Sequence, residues 1–205
     1  MKIVLIAGYL GSGKTTLIIA LSKKLAGDGT KVAILVNDVG AVPVDGAVMQ
    51  EYGLTVKDIG GGCICCQVAG NLMKTLETLA VSVRPDLVII EPTGIAVPDA
   101  IRQTVLLSAR KYPMEVGHTI VLFDTSRAAK LLTYDTLKRL VSLQIRDATI
   151  IGLSKSDLVT TEELEAATRA VHEINEVAEV IRVSTVSEEG LTLLVGRIRG
   201  AVVTA

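Results

Sequence analysis

Aromatic side chains are scarce in this sequence of 205 residues: phenylalanine occurs once, tyrosine four times and tryptophan never. This scarcity excludes an interior built on packed rings, although 49% of the residues are apolar. The interior must instead consist of Val, Ile, Leu and Ala. Such a composition is typical of parallel strands that helices cover on both faces.

An excess of charge of either sign is also missing, since the formal net charge is −1. No broad positive field would attract a polyanion, and Lys and Arg do not form a stripe with aromatic residues. We therefore expect no nucleic-acid partner.

Long apolar runs are lacking as well. No stretch reaches the length that a helix needs to cross a bilayer. The run from Ile3 to Ala7 is interrupted at Gly8, too early for the apolar core of a signal peptide. We expect a cytosolic protein without membrane contact, and the length favours a single domain over residues 1–205.

Short runs rich in β-branched residues alternate with segments of helical period, which predicts repeated βαβ units. Thr160 and Glu163 have the spacing of a capping box, and a further helix is expected over about 188–199, whereas the segment 38–66 is rich in glycine and irregular. The predicted strands lie near 2–7, 31–37, 86–91, 116–124, 148–154 and 179–184.

The first predicted strand runs into a glycine-rich turn that opens a predicted helix, and the turn matches the Walker A pattern. In this pattern backbone N–H groups converge on phosphate oxygens, and the N terminus of the helix adds positive potential. Lys14 should reach the β- and γ-phosphates, and the hydroxyl of Thr15 should ligate Mg²⁺. The nucleotide-binding residues predicted here are Gly8, Gly11, Ser12, Gly13, Lys14, Thr15 and Thr16. The predicted fold class is therefore α/β, a three-layer α/β/α P-loop NTPase with a mostly parallel central sheet.

The strand predicted over 86–91 ends in a carboxylate, Glu91, which a Pro-Thr-Gly turn follows. In P-loop proteins an acidic group at such a strand end orders Mg²⁺ or the attacking water. Glu91 is the candidate for this role. The alternative is a carboxylate that only caps the next turn.

A second polar cluster, Ser154-Lys155-Ser156-Asp157, follows the strand near 148–154 and resembles the Asn-Lys-x-Asp guanine signature of GTPases. The carboxylate of Asp157 can accept hydrogen bonds from N1–H and N2–H₂ of guanine, donors that adenine lacks as a pair. The stem of Lys155 can lie along the base. Ser154 is too short to replace an asparagine at N7, so discrimination between GTP and ATP falls mostly on Asp157. The alternative is an ordinary polar turn.

All three cysteines fall within four positions, Cys63, Cys65 and Cys66, before a helix that should begin near Val68. They lie too close together to staple a fold, and in a reducing compartment they indicate thiolate ligands for Zn²⁺, Co²⁺, Ni²⁺ or Cu⁺. A thiol–disulfide function through the Cys-x-x-Cys spacing and inert buried cysteines are the alternatives.

Three thiolates leave one position of a tetrahedral metal site open. Water, a carboxylate from Asp38 or Asp45, or a group from a second chain could fill it. An open position suits a carrier that must release its metal.

With these motifs the sequence resembles the CobW/UreG/HypB-type metal-trafficking GTPases, most closely the CobW-like branch, along nearly the whole chain. The cysteine run within a P-loop chain is the most specific part of the resemblance. The matching segments are Gly8–Thr16, Asn37–Gly40 as the first switch, Gly61–Cys66, Pro85–Gly94, Val121–Asp124 and Ser154–Asp157.

The resemblance implies a GTP-binding and GTP-hydrolysing protein, slow without a partner, that delivers zinc, cobalt or nickel to a client metalloprotein. It also implies a homodimer and a relation to cobalamin-synthesis-type proteins. By position, Lys14, Asp38 and Glu91 would be catalytic, and Thr15, Asp38 and Glu91 would hold Mg²⁺. Cys63, Cys65 and Cys66 would hold the transition metal.

Two departures from the family pattern stand out. The first switch usually reads Asn-Glu-Phe-Gly with another acidic residue next, whereas this sequence has Asn37-Asp38-Val39-Gly40-Ala41. A carboxylate metal ligand expected there is shortened or absent. Full-length CobW-like members also carry a C-terminal domain, which this sequence lacks, so client contacts are expected from the GTPase surface or from another protein.

Two other functions stay open. One is a nucleotide-dependent switch for the assembly or activation of a metalloenzyme or corrinoid protein, in which the cysteines sense metal without carrying it. The other is a P-loop kinase for a small metabolite, although no Arg-rich lid is evident. In the metal-carrier hypothesis, GTP and Mg²⁺ order the loop at 38–46 and, through it, the cysteines.

Overall fold

The structure is a computed structural model that describes residues 1–36, 55–58 and 65–200, with the backbone alone at 55–58 and 65–71. Within these ranges seven strands form one sheet, in the order β3-β2-β4-β1-β5-β6-β7. Every neighbouring pair is parallel, which confirms the predicted α/β class. The strands are β1 Lys2–Gly8, β2 Val32–Val36, β3 Thr55–Asp58, β4 Leu87–Glu91, β5 Glu115–Asp124, β6 Ile150–Ser154 and β7 Glu179–Val183.

Seven α-helices connect the strands in the described ranges, with a π-helical turn at Leu79–Val83 and 3₁₀ turns at Thr125–Arg127 and Ser156–Leu158. The predicted capping box is present before α6, because Thr160 and Glu163 exchange side-chain-to-backbone hydrogen bonds of 2.9 and 3.3 Å. The helices are α1 Lys14–Gly27, α2 Cys65–Thr78, α3 Pro98–Ala109, α4 Ala128–Thr133, α5 Asp135–Arg146, α6 Thr161–Ile174 and α7 Leu191–Arg199.

Helices cover both faces of the sheet, which explains why β1 is apolar from Ile3 to Ala7. Val4 and Ile6 pack on one side in a cluster that includes α1 and α7. Ile3 and Leu5 point to the other side and pack with residues of α2 and α3. Because successive side chains of a strand alternate between faces, a strand covered twice has no polar position to spare.

The strand β3 is absent from the prediction, which left all of 38–66 irregular. Its sequence, Thr-Val-Lys-Asp, is short, and three of its four residues are polar. Among the described strands it pairs with β2 alone, at the edge of the sheet. An edge strand is covered less than a central one and needs no continuous apolar run, so hydrophobic periodicity does not reveal it.

The start of α2 also differs from the prediction. The helix begins at Cys65 and not near Val68, so Cys65 and Cys66 belong to its first turn. A polar, cysteine-containing first turn carries no apolar period, which is why the sequence pattern placed the start too late. The single domain over residues 1–205 stays a prediction.

None of the helices in the described part of the chain is long and apolar enough to cross a membrane.

Candidate nucleotide site

The carboxyl ends of the seven parallel strands lie along one edge of the sheet, and the predicted polar residues that the structure describes gather there. β1 lies between β4 and β5, so the glycine-rich turn after Gly8 is flanked by Glu91 on one side and Asp124 on the other. Asp124 pairs in register with Ser154. In open parallel sheets ligands bind outside this edge, where connections leave in opposite directions.

The phosphate loop, residues 8–15, follows β1 and opens α1 at Lys14. Gly8 has φ of 139°, and a Cβ atom there would lie 2.4 Å from the carbonyl oxygen of Leu122. Gly13 caps α1 in the left-handed conformation, with φ of 91°. Lys14 is buried, with 5% of its surface exposed. These contacts hold the loop tightly against the sheet while its amides are at a helix N terminus, the arrangement that binds phosphate.

The hydroxyl of Thr15 donates a hydrogen bond of 2.7 Å to Oε1 of Glu91. Glu91 is buried at the end of β4, next to β1 in the sheet. The structure therefore brings together two of the three residues expected to hold Mg²⁺. A hydroxyl and a carboxylate are oxygen donors, the ligand type that Mg²⁺ takes in P-loop proteins, so these residues fit that ion. The third, Asp38, lies outside the described residues.

A cavity of about 250 Å³ extends from the phosphate loop to the second polar cluster. Its wall includes Ser12, Gly13 and Thr16 on one side and Ser154, Lys155 and Asp157 on another. The hydroxyl of Ser12 is buried and has no hydrogen-bond partner among the described residues. A largely apolar cavity with a few polar groups at its wall, one of them a buried hydroxyl left over, is the kind of site that a ligand with polar groups completes.

The second polar cluster holds its shape through hydrogen bonds to β5. Ser154 is buried, and its hydroxyl donates to the carbonyl of Phe123 at 3.3 Å, so this side chain is engaged with the backbone. Lys155 is in the left-handed conformation, with φ of 59°. Asp157 is exposed and borders the cavity. Asp157 is the one carboxylate of this cluster, and its position allows it to contact a ligand in the cavity.

The ammonium of Lys155 lies 2.7 Å from Oδ2 of Asp124. The sequence assigned only the stem of Lys155, along the base, and did not anticipate a fixed head group. This contact ties the second polar cluster to the end of the neighbouring strand. The sequence predicted no role for Asp124, which was noted only as the last residue of the matching segment Val121–Asp124.

The turn after β7 is the part of the cavity that the sequence analysis missed. Thr185 and Val186 line the cavity together with Leu158. The hydroxyl of Ser184 accepts hydrogen bonds from the backbone N–H groups of Val186 and Ser187, at 3.2 and 3.1 Å. The available signal was position alone, since any polar turn at the carboxyl end of a strand in this sheet reaches the same edge.

The cysteines lie mostly beyond the described structure. Cys63 is outside the described residues, and for Cys65 and Cys66 only the helical backbone is described. Because a helix between parallel strands runs antiparallel to them, the first turn of α2 lies toward the carboxyl edge, as the phosphate loop does. Among the side chains that the structure describes, no group of three His, Cys, Asp or Glu residues is arranged to hold a metal.

The fold and this site define a P-loop nucleotide-binding protein. A family model described as CobW/HypB/UreG, nucleotide-binding domain, matches residues 2–182. The chain belongs to this family, as the motifs of its sequence indicated.

Known relatives are similar over part of their length. The zinc chaperone YeiR of Escherichia coli is 37% identical over 171 residues, which are 80% of this chain and 49% of YeiR. Zinc-regulated GTPase metalloprotein activator 1 of Schizosaccharomyces pombe is 29% identical over 189 residues, 88% of this chain and 45% of that protein. The chain thus spans about half the length of these relatives.

A solved structure with the same fold is the hydrogenase maturation factor HypB from Archaeoglobus fulgidus. Its TM-score is 0.67, with 19% identity, and the match covers 98% of this chain and 89% of that one. At this identity the similarity concerns the fold.

Proposed function

We propose that this chain is a GTPase that binds GTP with Mg²⁺ and couples its nucleotide state to a transition metal held by cysteines. The observation that carries the nucleotide part is the cavity that joins the phosphate loop to Asp157. The metal part rests on the family, on the names of the relatives and on the three clustered thiols.

In the proposed nucleotide complex, the amides of Gly11, Ser12, Gly13 and Thr16 surround the phosphates, and Lys14 neutralises their charge. Thr15 and Glu91 would hold Mg²⁺, which would draw electron density from the phosphate oxygens. Glu91 would also orient the attacking water. Asp38 is the third proposed group at the γ-phosphate. Slow hydrolysis without a partner is part of the proposal.

The base would be recognised by Asp157, with Lys155 holding the segment in place. An exposed carboxylate at the rim of the cavity can accept from both guanine donors. Ser154 is engaged with the backbone of β5, so it leaves the discrimination to Asp157.

The Asp157→Asn variant tests this assignment. Its amide offers a donor where guanine also has donors, whereas xanthine presents a C2 carbonyl in place of the amino group. We expect GDP affinity to fall about 10- to 100-fold, as one to two lost hydrogen bonds to a charged group imply. The affinity for xanthosine diphosphate should fall little or should rise. Titration calorimetry with both nucleotides measures this, and Glu165→Gln, an exposed carboxylate on α6, is the control. Equal affinity of wild type and variant for GDP would contradict the assignment.

For the metal, Cys63, Cys65 and Cys66 are the proposed ligands of zinc, cobalt or nickel, which we treat as cargo for a client metalloprotein. Thiolates are the ligands that such ions prefer. The proposed setting is the cytosol, where reduced thiols persist. A homodimer is part of the proposal, because a group from a second chain could complete a three-thiolate site.

Nucleotide-dependent metal affinity is the test of the coupling. Zinc is titrated into the reduced protein loaded with GDP or with a non-hydrolysable GTP analogue, against a chelating dye. We expect the two affinities to differ at least about tenfold, since a coupling free energy of about 1–3 kcal/mol is typical. A Cys65→Ser, Cys66→Ser double variant should lose the tight site, and His172→Ala, exposed on α6, should keep it. Equal zinc affinities in the two nucleotide states would refute the coupling.

A second candidate is a switch that activates a metalloenzyme or corrinoid protein and senses metal without carrying it. The name of the Schizosaccharomyces pombe relative, a metalloprotein activator, supports this second candidate. A Cys65→Ala variant that still transfers metal to a client but no longer changes GTP turnover would support this candidate over delivery.

A further inference from the structure

Asp124 is a buried carboxylate at the end of β5, and its side chain is fully enclosed. Four donors surround it. Oδ1 accepts from the backbone N–H and the hydroxyl of Ser126, at 3.1 and 2.6 Å. Oδ2 accepts from Nε of Arg127 and from Nζ of Lys155, both at 2.7 Å. Oδ1 thus stabilises the turn that follows β5, and Oδ2 binds the two cations Arg127 and Lys155.

Arg127 connects this carboxylate to the phosphate loop. Its Nη2 donates a hydrogen bond of 2.7 Å to the carbonyl of Leu10, inside the loop. A Cβ atom on Gly11 would lie 3.2 Å from the same Nη2, so the glycine leaves room for the guanidinium. The planar fork of arginine bridges the two acceptors in a fixed geometry, which a flexible cation could not do.

Lys155 connects the same carboxylate to the second polar cluster, Ser154–Asp157, which is the proposed base-recognition segment. Its backbone is left-handed, a conformation that needs support in a residue with a side chain. The hydroxyl of Thr125, next to Asp124, accompanies this contact and donates to the carbonyl of Ser154 at 2.8 Å. Thr125 therefore holds the backbone of this segment, and its neighbour Asp124 holds the ammonium of Lys155.

The electrostatics favour an ionised Asp124. Burial opposes ionisation, but the hydrogen bonds from Lys155, Ser126 and Arg127 outweigh it, and the pKa of Asp124 is lowered. The carboxylate is therefore charged at neutral pH. Its two cations are held by charge-assisted hydrogen bonds, the stronger class.

We propose that Asp124 is a positioning residue that joins the phosphate loop, through Arg127, to the base-recognition segment, through Lys155. A nucleotide that touches both segments then meets them at a set spacing, because both are anchored to one carboxylate. This inference rests on the proposed function, since it assumes that a guanine nucleotide occupies the cavity.

Asp124→Asn is the informative variant because it is nearly isosteric. In the variant an NH₂ group replaces one carboxylate oxygen. If Oδ1 keeps its hydrogen bonds from Ser126, the NH₂ group faces Nε of Arg127 and Nζ of Lys155, so that donors oppose donors. Arg127→Gln removes only the arm to the phosphate loop. Lys155→Gln weakens only the arm to the base segment. Ser126→Ala is the matched control, because it removes a contact to Oδ1 and touches neither arm.

Affinity ratios separate positioning from a general loss of stability. The ratio of GDP to GMP affinity reports the grip of the phosphate loop on the β-phosphate, and the ratio of GDP to ADP affinity reports base discrimination. We expect Asp124→Asn to lower both ratios about tenfold, Arg127→Gln only the first and Lys155→Gln only the second. The double variant of Asp124 and Arg127 should show the same GDP to GMP ratio as Asp124→Asn alone. Ser126→Ala should keep both ratios.

The outcomes are distinguishable. If wild type binds no GDP, the proposed function fails. If wild type prefers GDP to GMP and ADP but Asp124→Asn keeps both preferences, the positioning role is wrong and the proposed function stands. A purely structural Asp124 would lower the melting temperature and weaken all nucleotides equally, with unchanged ratios. Should Asp124→Asn not fold, unchanged ratios in Arg127→Gln and Lys155→Gln would overturn the inference.

Discussion

Lys14→Ala is expected to remove nearly all measurable affinity for GTP and GDP. Lys14 is the first residue of α1 and is buried beside the phosphate loop. Truncating a buried charge that pairs with a ligand charge costs about 2–5 kcal/mol, or roughly 30- to several thousand-fold in affinity. The loss should be larger for GTP than for GMP, because the lysine is expected to contact the β- and γ-phosphates.

Fluorescence titration with a labelled guanine nucleotide measures this loss. Lys23→Ala is the matched control, because Lys23 is on the same helix but exposed, and it should bind like wild type. Retention of GTP affinity within threefold by a folded Lys14→Ala protein would mean that the loop does not hold phosphate.

Gly8→Ala is expected to destabilise the fold more than Gly13→Ala or Gly27→Ala. The added Cβ would lie 2.4 Å from the carbonyl oxygen of Leu122 and 2.9 Å from the hydroxyl of Ser12. The carbonyl belongs to the backbone of β5, which cannot yield without breaking the ladder between β1 and β5. We expect the free energy of unfolding to fall by at least about 3 kcal/mol.

Two other glycines separate the causes of that loss. Gly13 has φ of 91°, but no atom of the described residues lies within 4 Å of a Cβ there, so Gly13→Ala carries backbone strain without a clash against them and should cost about 1–2 kcal/mol. Gly27, at the end of α1, has neither feature, and Gly27→Ala should be neutral or stabilising by up to about 1 kcal/mol. Urea denaturation of the three variants gives the order. A Gly8→Ala protein as stable as Gly13→Ala would show that the clash with Leu122 is relieved.

The sequence alone predicted the parts of this protein that depend on local chemistry. The phosphate loop is one continuous segment whose glycines and lysine have roles set by their spacing, so β1, the loop and α1 were predicted in place. The capping box of Thr160 and Glu163 is equally local. The central strands were evident because burial on both faces forces apolar runs on them.

Errors arose where burial is incomplete or the period is short. The strand Thr55–Asp58, at the edge of the sheet that the described residues form, was predicted to be irregular. The helix α2 begins three residues before its predicted start, because its first turn has no apolar period. The predictions for Asp38 and Cys63 concern residues outside the described structure and stay predictions.

Four features could be read from contiguous stretches of the sequence: the class of the fold, the family, the Walker A turn and the Ser154–Asp157 cluster. Which of these segments meet follows from the tertiary structure. The order of the parallel strands brings Thr15 to Glu91. It also brings Lys155 to the carboxylate of Asp124, and the carbonyl of Leu10 to Arg127, which pairs with the same carboxylate. These contacts join residues between 31 and 117 positions apart in the chain. No local period encodes such separations, because they follow from the sheet order and from the common direction of its strands.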